Sequence, residues 1–341
     1  MRRFAKSVII VLALLLVAGG TGAAVIWQRI HDPYKGFTDA EQFIEVSPGT
    51  GTSAIGRMLV DEGILRDEFT FRAALWWTGR SRTLQAGEYR FDRAASAVDV
   101  IGRLARGDVY ARPLTFPEGL TIDEMSRLFE MRGFGSGSSF VAAAREGSLI
   151  KDLDPAAADL EGYLFPETYA LTRGTSAQRL VRSMIDRFRA IYTDDLRRRA
   201  QAQGLTTRQV VSLASLIEKE TGKPEERPLV AAVYRNRLKI GMGLQADPTV
   251  VYALQKAGRY DGNIRRTDLA FDSPYNTYRY PGLPPGPIAA PGKASLEAAL
   301  MPASVAYLYF VSRNDGSHVF SETLAEHNRN VREFQVLFFR R

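Results

Sequence analysis

Two glutamates in the segment Ala214-Ser-Leu-Ile-Glu-Lys-Glu-Thr221 are the side chains of this chain best suited to acid/base chemistry. The spacing of the apolar residues predicts a helix over residues 207–220 with one apolar face. Glu218 and Glu220 fall at the two borders of that face, whereas Lys219 points away from it. A carboxyl group with apolar neighbours near a helix C-terminus has a raised pKa, so it can donate a proton near neutral pH.

An ion pair with a nearby cation is the ordinary structural alternative for both glutamates. Arg208, Lys219 and Lys223 are close enough in the sequence to provide one, and most glutamates of a folded protein are of this kind. The helical pattern alone does not choose between Glu218 and Glu220. Both stay candidates for a proton-transfer group at this point.

Other classes of catalytic site have little support in the sequence. Cysteine is absent, which excludes disulfides, thiolate metal sites and a cysteine nucleophile. His31, His318 and His327 do not have the HExxH spacing of a metalloenzyme, and no GxSxG motif of a serine hydrolase occurs. The glycine-rich residues 133–139 match neither phosphate-binding motif. We therefore expect neither a metal nor another cofactor.

The elements that must position these side chains begin with an uncharged apolar run over residues 7–28. This run predicts one transmembrane helix, because it is long enough to cross about 30 Å of hydrocarbon. Arg2, Arg3 and Lys6 precede it without an acidic residue. By the positive-inside rule, residues 1–6 are expected in the cytoplasm and the rest of the chain outside the inner (cytoplasmic) membrane.

A cleaved signal peptide is the alternative for this run, since residues 19–24 are small enough for a signal peptidase. Residues 25–27 extend the apolar run past that stretch and favour a retained anchor. A mean hydropathy of −0.17 indicates at most one membrane span, with a globular remainder. The net charge of +7 includes the N-terminal cations, and what is left is too small to indicate a nucleic-acid partner.

The remainder has the pattern of an α+β protein in two parts. Polar residues 29–42 are typical of a linker. Residues 43–112 are expected to form a small β-α-α-β unit, and residues 113–341 a larger mixed α+β domain. The predicted strands of the small unit are 43–46 and 84–91, and its helices are 53–62 and 68–78. The helices predicted in the larger domain are 139–146, 177–194, 207–220, 227–238, 248–255 and 323–337.

Three local features stand out within these parts. Val46-Ser-Pro-Gly49 aligns with Phe116-Pro-Glu-Gly119 in a weak internal echo at an offset of 70 residues, which indicates either two similar units or a chance match of two strand-turn-helix segments. Asn314-Asp-Gly316 predicts a β-hairpin. Residues 273–292 are rich in proline, so they are expected to form an ordered loop of the kind that often carries function.

Residues 214–221 closely resemble a motif of the MltG/YceG-like endolytic murein transglycosylases. The resemblance covers residues 1–330, and further segments look like motifs of that family in the family's order: Leu160-Glu-Gly-Tyr-Leu-Phe-Pro-Glu-Thr-Tyr169, Val233-Tyr-Arg-Asn-Arg-Leu238, Leu244-Gln-Ala-Asp-Pro-Thr-Val250, Ser273-Pro-Tyr-Asn-Thr-Tyr278, Gly282-Leu-Pro-Pro-Gly-Pro-Ile-Ala289 and Gly316-Ser-His-Val-Phe-Ser321. One block of the family usually reads Ile-Ala-Asn-Pro-Gly. Ala290 stands here in place of the asparagine, which puts a substrate hydrogen bond at that position in doubt.

The resemblance implies an enzyme that cuts peptidoglycan glycan strands. Residues 43–112 become a LysM-like subdomain and residues 113–341 the catalytic YceG-like domain. Glu218 becomes the catalytic acid/base and Glu220 a supporting carboxylate. The implied product carries a 1,6-anhydroMurNAc end, and the implied role is to terminate nascent strands beside peptidoglycan synthases.

A cleft for sugar rings should mix aromatic faces with amide and carboxylate groups. The residues that offer this mixture in the motifs are Tyr275, Asn276, Thr277 and Tyr278 in the proline-rich loop, with Asn236, Gln245 and Asp247 before it. Each has a structural alternative, and Asp247 before Pro248 would serve equally as a helix N-cap.

Two other functions stay open. A membrane-tethered protein that binds peptidoglycan without cleaving it could keep both parts of the fold. It would be free to lose the glutamate at position 218, which this chain retains. A muramidase that adds water is the second alternative, and the chemistry of the product end separates it from a transglycosylase.

Overall fold

The computed structural model of the protein describes residues 2–172 and 174–338. The chain divides into two compact units, Met1–Arg112 with Ala170–Gly174, and Pro113–Tyr169 with Thr175–Arg341. The elements of the first unit are α1 (Arg2–His31), β1 (Gln42–Val46), α2 (Thr52–Asp61), α3 (Glu68–Thr78), β2 (Gly87–Phe91) and α4 (Ala97–Arg106). Strand β3 (Arg112–Thr115) begins at the last residue of this segment and continues into the second unit.

The first unit has the predicted β-α-α-β order, followed by α4. Strands β1 and β2 are antiparallel, with Ile44 opposite Tyr89, and both of these side chains are buried. Helix α2 contributes Leu59 and α4 contributes Ile101 to the same core. The alternation of buried and exposed residues along β1 follows the two-residue period of a strand that faces a core on one side.

Helix α1 is longer than the predicted transmembrane segment. Leu12–His31 is long and apolar enough to cross a membrane, by length and composition only. The helix does not stop at Gln28, because Ile30 inserts fully buried into the core of the first unit. Tyr34 then exchanges backbone hydrogen bonds with Ala95 at 3.0 and 3.2 Å. Part of the predicted linker, residues 29–42, is therefore packed against the first unit.

The prediction that the N-terminus is cytoplasmic depends on residues 1–6, of which Met1 and all the side chains lie outside the described part of the structure.

The second unit is a mixed α+β domain of mainly helical content. Its further elements are α5 (Ile122–Met131), α6 (Gly137–Ala144), the first two residues of β4 (Thr168–Leu171), α7 (Ala177–Ile191), α8 (Asp194–Ala202), α9 (Thr207–Glu220), α10 (Arg227–Lys239), α11 (Asp247–Lys256), α12 (Lys293–Leu300), β5 (Tyr309–Ser312), β6 (His318–Ser321) and α13 (Leu324–Val331). Helix α13 continues as a π-helix over Arg332–Leu337. Helix α9 packs against α8, α10, α11 and α12.

The internal echo corresponds to a repeated local structure. The order β3-α5-α6-β4 repeats β1-α2-α3-β2. Gly49 and Gly119 both adopt left-handed backbone conformations, with φ of 85° and 79°. Gly63 and Gly133 do the same just after α2 and α5, with φ of 66° and 72°, which only glycine accepts at low cost. The matched positions thus have matched conformational requirements.

Two predictions for the second half of the chain have clear outcomes. The Asn314-Gly316 hairpin is confirmed, since β5 and β6 pair antiparallel on either side of it. Asp247 was predicted as the N-cap of the helix at 248–255. The helix instead begins at Asp247 itself, with Ala246 at the N-cap and no capping side chain, because the Asp247 carboxylate accepts a hydrogen bond from the Tyr278 hydroxyl at 2.6 Å.

Candidate active site

Glu218, the predicted acid/base, lies in the last turn of helix α9. The helix is fixed at its start by a capping box, in which the Thr206 hydroxyl accepts from the Gln209 N–H and the Gln209 side chain accepts from the Thr206 N–H, at 3.2 and 2.9 Å. Every residue from Val210 to Ile217 is buried. The prediction of a single buried face is therefore incomplete, because neighbouring elements bury this part of α9 on all sides.

Glu218 is held from two directions. Its side chain is only 6 % exposed. Oε1 accepts from Nη2 of Arg227 at 3.4 Å, and Oε2 accepts from the backbone N–H of Gly292 at 3.0 Å. Gly292 is the N-cap of α12, so the carboxylate lies where the helix dipole and free N–H groups favour negative charge.

A second carboxyl group, that of Glu118, meets Glu218. Glu118 lies in the turn after β3, its side chain is 47 % exposed, and Oε2 lies 3.7 Å from Nη2 of Arg227. Burial raises the pKa of Glu118 and so does the neighbouring Glu218 carboxyl, while Arg227 acts in the opposite direction. A carboxyl with a raised pKa keeps its proton to higher pH than an ordinary glutamate does.

Position 292 favours glycine because a side chain there would collide with Glu118, and not because of its backbone conformation. Its φ of −76° is open to any residue. A Cβ atom added there would lie 1.8 Å from Oε1 of Glu118. The absence of a side chain at position 292 is therefore what lets Glu118 approach Glu218 and the start of α12.

The turn that carries Glu118 is tied to the segment before α12. The Gly119 N–H donates to the Ala290 carbonyl at 2.8 Å, and the Ala290 N–H donates to the Leu120 carbonyl at 2.8 Å. Nζ of Lys219 donates to the Gly119 carbonyl at 3.2 Å. Ala290 is 1 % exposed, so position 290 contributes through its main chain, and its alanine leaves these bonds intact.

Glu220 lies on the other side of α9 and belongs to a different environment. Its carboxyl accepts a hydrogen bond from the Tyr234 hydroxyl at 2.5 Å. Burial raises the pKa of Glu220 to about 7, against the effect of that hydrogen bond, and the charge of Asp247 adds to the rise. The predicted raised pKa is confirmed for Glu220. Its supporting role for Glu218 stays a prediction.

Three of the predicted substrate contacts are used within the protein. Asn276 and Thr277 are 0 % and 1 % exposed. The Asn276 amide donates to the carbonyls of residues 269 and 271 at 3.0 and 2.7 Å, and the Thr277 hydroxyl accepts from the Ala246 N–H at 3.0 Å. The Asn236 amide donates to the carbonyls of residues 305 and 307, both at 2.9 Å. These side chains hold loops, and their contact with substrate stays a prediction.

The other four predicted contacts are more accessible. Gln245 is exposed, with a left-handed backbone at φ 51°. Asp247 is exposed and is bonded to the half-buried Tyr278. Tyr275 packs its ring on Tyr252, with centroids 4.9 Å apart. These residues stay candidates for binding sugar.

Residues of two further family-like motifs form hydrogen bonds that hold elements of the second unit in place. Glu161 accepts from the Ile122 N–H at 3.1 Å, at the first residue of α5, and from the Tyr252 hydroxyl at 3.2 Å. Glu226 accepts from the side chain and the backbone N–H of His318 at 2.7 and 2.9 Å. Burial would raise the pKa of Glu226, but the His318 bonds outweigh it and the pKa lies below its usual value. Glu226 thereby fixes the start of α10, where Arg227 follows.

Sequence reasoning missed Glu118, Arg227 and Gly292. One signal for Glu118 was present in the internal echo: Phe116-Pro-Glu-Gly119 repeats the turn of Val46-Ser-Pro-Gly49, but places a carboxylate where the first copy has Pro48. Arg227 and Gly292 carried no comparable mark, because their roles come from contacts with residues far away in the sequence.

The second unit is thus a mixed α+β domain in which Glu118 and Glu218 lie beside Arg227, where α9 meets α12. Comparison with known sequences gives the family. The sequence model of the YceG-like family matches residues 44–333, and the chain belongs to that family.

Individual relatives agree with this membership. The chain is 32 % identical over 324 residues to the endolytic murein transglycosylase of Bacillus subtilis, covering 90 % of this chain and 89 % of the relative. It is 28 % identical to the protein of the same name from Streptococcus pneumoniae, covering 97 % of this chain and 65 % of that one. The crystal structure of a YceG-like protein from Listeria monocytogenes matches with a TM-score of 0.58 and 30 % identity, over 86 % of this chain and 99 % of that chain.

Proposed function

We propose that this chain is an endolytic peptidoglycan lytic transglycosylase, which cleaves the MurNAc–GlcNAc β-1,4 bond and leaves a 1,6-anhydroMurNAc end. The observation that carries the proposal is Glu218, a shielded carboxyl within an intact family motif, held by Arg227 and by the start of α12. The names of the relatives support the same activity.

The contact between Glu118 and Glu218 favours a non-hydrolytic reaction. In ordinary glycosidases two carboxyl groups flank the sugar, about 5–5.5 Å apart in retaining enzymes and about 6.5–9.5 Å apart in inverting ones. Here both carboxyls lie beside the same Nη2 of Arg227, at 3.7 Å for Glu118 and 3.4 Å for Glu218. This arrangement favours two carboxyls that act together on one side of the bond over two that face each other across a sugar.

The proposed reaction balances with a single shuttled proton. Glu218 gives the proton of the pair to the glycosidic oxygen, the bond from that oxygen to C1 of MurNAc breaks, and the GlcNAc hydroxyl leaves. The C6 hydroxyl of the same MurNAc then bonds to C1 and returns its proton to Glu218. Water is not consumed. The product is an anhydro sugar, and the carboxyl pair is ready for another cycle.

The rest of the molecule suggests where the reaction takes place. Helix α1 would anchor the protein in the inner membrane, with the second unit outside the cytoplasm. The β-α-α-β order of the first unit is consistent with a LysM-like, glycan-binding role. An anchored enzyme of this kind would meet nascent strands beside the synthases that make them.

A glutamine at position 218 tests the proposal. Glu218→Gln keeps the shape of the side chain but cannot shuttle a proton, so we expect it to lower the rate by at least about 10²–10⁴-fold. The measurement is release of fragments from purified glycan strands, with mass spectrometry of their ends. Glu225→Gln is the matched control, because Glu225 is exposed and lies close by in the sequence.

Each outcome bears on one function. Anhydro-ended fragments from the wild type and the control, and their loss in Glu218→Gln, support the transglycosylase. Reducing ends with added water would identify a muramidase. Strand binding without any cleavage by the wild type would identify a wall-binding scaffold, and an active Glu218→Gln variant would remove Glu218 from the mechanism.

A further inference from the structure

Helix α3 has apolar side chains on two sides. Phe71 and Ala74 are buried in the core of the first unit. Phe69, Trp76 and Trp77 lie on the other side and are 52 %, 83 % and 53 % exposed. Positions i, i+7 and i+8 share one helix face, so these three side chains form one row, which we call the aromatic stripe. An exposed apolar surface of this kind usually marks a contact with another phase or molecule.

The aromatic stripe runs beside the end of α1. Phe69 lines a cleft of about 590 Å³ together with six α1 residues between Ala18 and Arg29. Trp77 makes an edge contact with the His31 ring at 6.3 Å between centroids, and His31 stacks on Trp27 at 4.4 Å. Phe69 therefore lies beside the C-terminal part of the apolar run, and Trp77 beside its end.

Helices α1 and α3 are firmly attached to each other. Arg29 donates to Oδ2 of Asp67 at 2.6 Å and to the Thr70 hydroxyl at 3.0 Å. Ile30 is completely buried in the core of the first unit. The depth of α1 in a membrane would consequently set the depth of α3. The ion pair also neutralises Arg29 close to the lipid, where an unpaired charge is costly.

We propose that the aromatic stripe is inserted in the interfacial region of the inner membrane, in the leaflet that faces away from the cytoplasm. The first unit would then lie with α3 against the lipid bilayer. This inference depends on the proposed anchoring by α1. The candidate span Leu12–His31 has 20 residues, which at about 1.5 Å per residue matches a hydrocarbon core of about 30 Å. Phe69 would then reach the edge of the hydrocarbon, with Trp76 and Trp77 nearer the headgroups.

The chemistry of the stripe fits lipid in particular. Tryptophan is enriched at membrane interfaces, where its ring is half apolar and its N–H is hydrated. Arg72 and Arg80 are exposed on and just after α3, where they can meet lipid phosphates. The lipid-facing surface of α1 also continues directly into the stripe, and Leu16 and Val25 on α1 are 78 % and 62 % exposed. One bilayer would cover both surfaces.

Single-tryptophan variants of the full chain, reconstituted in phosphatidylcholine–phosphatidylglycerol liposomes with brominated acyl chains, test the inference. The chain has three tryptophans, so Trp27→Phe with Trp77→Phe leaves Trp76 as the reporter. The double variant Trp76→Phe with Trp77→Phe leaves Trp27, which reports on the anchor itself. Phe69→Trp with all three tryptophans changed to Phe reports on the deep end of the stripe.

We expect bromine to quench Trp76 in liposomes, more by bromine near the headgroups than by bromine deep in the chains, and the Phe69→Trp reporter to be quenched at greater depth. Quenching of Trp27 without quenching of Trp76 would overturn the inference while leaving the anchor in place. Absence of quenching at Trp27 as well would refute the anchor. A concentration-dependent blue shift of Trp76 without bromine quenching would show that a second copy covers the stripe, and would also overturn the inference.

Discussion

Glu118 and Glu218 reach the same point from residues that are 100 positions apart, and their contact changes how either can be understood. Glu218 alone, bonded to Arg227 and Gly292, would be a well-stabilised anion. Glu118 beside it, with a raised pKa, gives the site a place to store the proton that the reaction needs.

Replacing Glu118 with glutamine tests this role of its carboxyl. We expect Glu118→Gln to lower kcat by about tenfold or more, because the proton that Glu118 holds is lost from the site. Glutamine does not titrate, so an alkaline limb set by the raised pKa of Glu118 should be absent from the pH–kcat profile of the variant. A full pH profile for both proteins is the measurement.

A merely structural role for Glu118 would give a different result. The variant would then lose thermal stability or substrate affinity, with an alkaline limb that coincides with that of the wild type. Glu225→Gln is again the matched control, since it removes one exposed carboxylate without touching the pair.

At the scale of elements, the site exists because the end of α9 meets the beginning of α12. The turn after β3 completes it, held by backbone bonds between residues 119–120 and Ala290. The Ser215 hydroxyl of α9 also accepts from the Ile288 N–H at 3.1 Å. The proline-rich loop is thereby fixed to the helix that carries Glu218, which explains why the loop is ordered without regular structure.

Gly292→Ala tests the close approach at this junction. The alanine Cβ would lie 1.8 Å from Oε1 of Glu118, so Glu118 must move away while the backbone, at φ −76°, stays as it is. We expect a folded protein whose activity falls to the level of Glu118→Gln. In a Glu118→Ala background the same glycine change should cost no further activity, and this double-mutant cycle is the measurement.

Gly51→Ala supplies the control for that cycle. Gly51 is also an N-cap, with φ −68° and no atom within 4 Å of an added Cβ. It therefore carries the ordinary cost of alanine at an N-cap, about 0.5–2 kcal/mol at most, without the steric conflict. Equal losses of activity in the two alanine variants, or additive effects in the cycle, would contradict the proposed geometry.

For the molecule as a whole, two buried carboxyls make stability depend on pH. Burial, before all other causes, raises the pKa of Glu161 to about 8 and that of Glu220 to about 7. In the unfolded chain both carboxyls would have a pKa of about 4.3. The folded state therefore binds protons more tightly, and the stability that these groups contribute is complete below the unfolded pKa and is lost as the pH rises through 7 and 8.

Glu220→Gln should relieve part of this loss. Glutamine keeps an acceptor for the Tyr234 hydroxyl and carries no charge. We expect the variant to be more stable than the wild type at pH well above the Glu220 pKa, by on the order of 2–3 kcal/mol, with the difference shrinking toward low pH. Thermal unfolding of the full chain across this pH range measures it. A constant difference at all pH values would contradict the titration, and Glu225→Gln should show no such trend.

Features that short stretches of chain encode can be predicted from the amino-acid sequence. The helix predicted at 207–220 is α9 as observed, since its cap at Thr206 and its apolar run are local. The hairpin around Asn314-Gly316 and the β-α-α-β order of the first unit follow from turn residues and periodicity in the same way. The motif around Glu218, likewise contiguous, was sufficient to indicate the family.

Which side chains meet depends on the packing of the whole chain. Arg227 and Gly292 are unremarkable in sequence, and their importance comes from packing between elements that are distant along the chain. Asn276 and Thr277 looked as suitable for sugar as Tyr278, but the fold of the loop buries the first two. The internal echo marks Glu118 as a change in a repeated turn, but its position beside Arg227 and Glu218 follows from long-range contacts that no local pattern encodes.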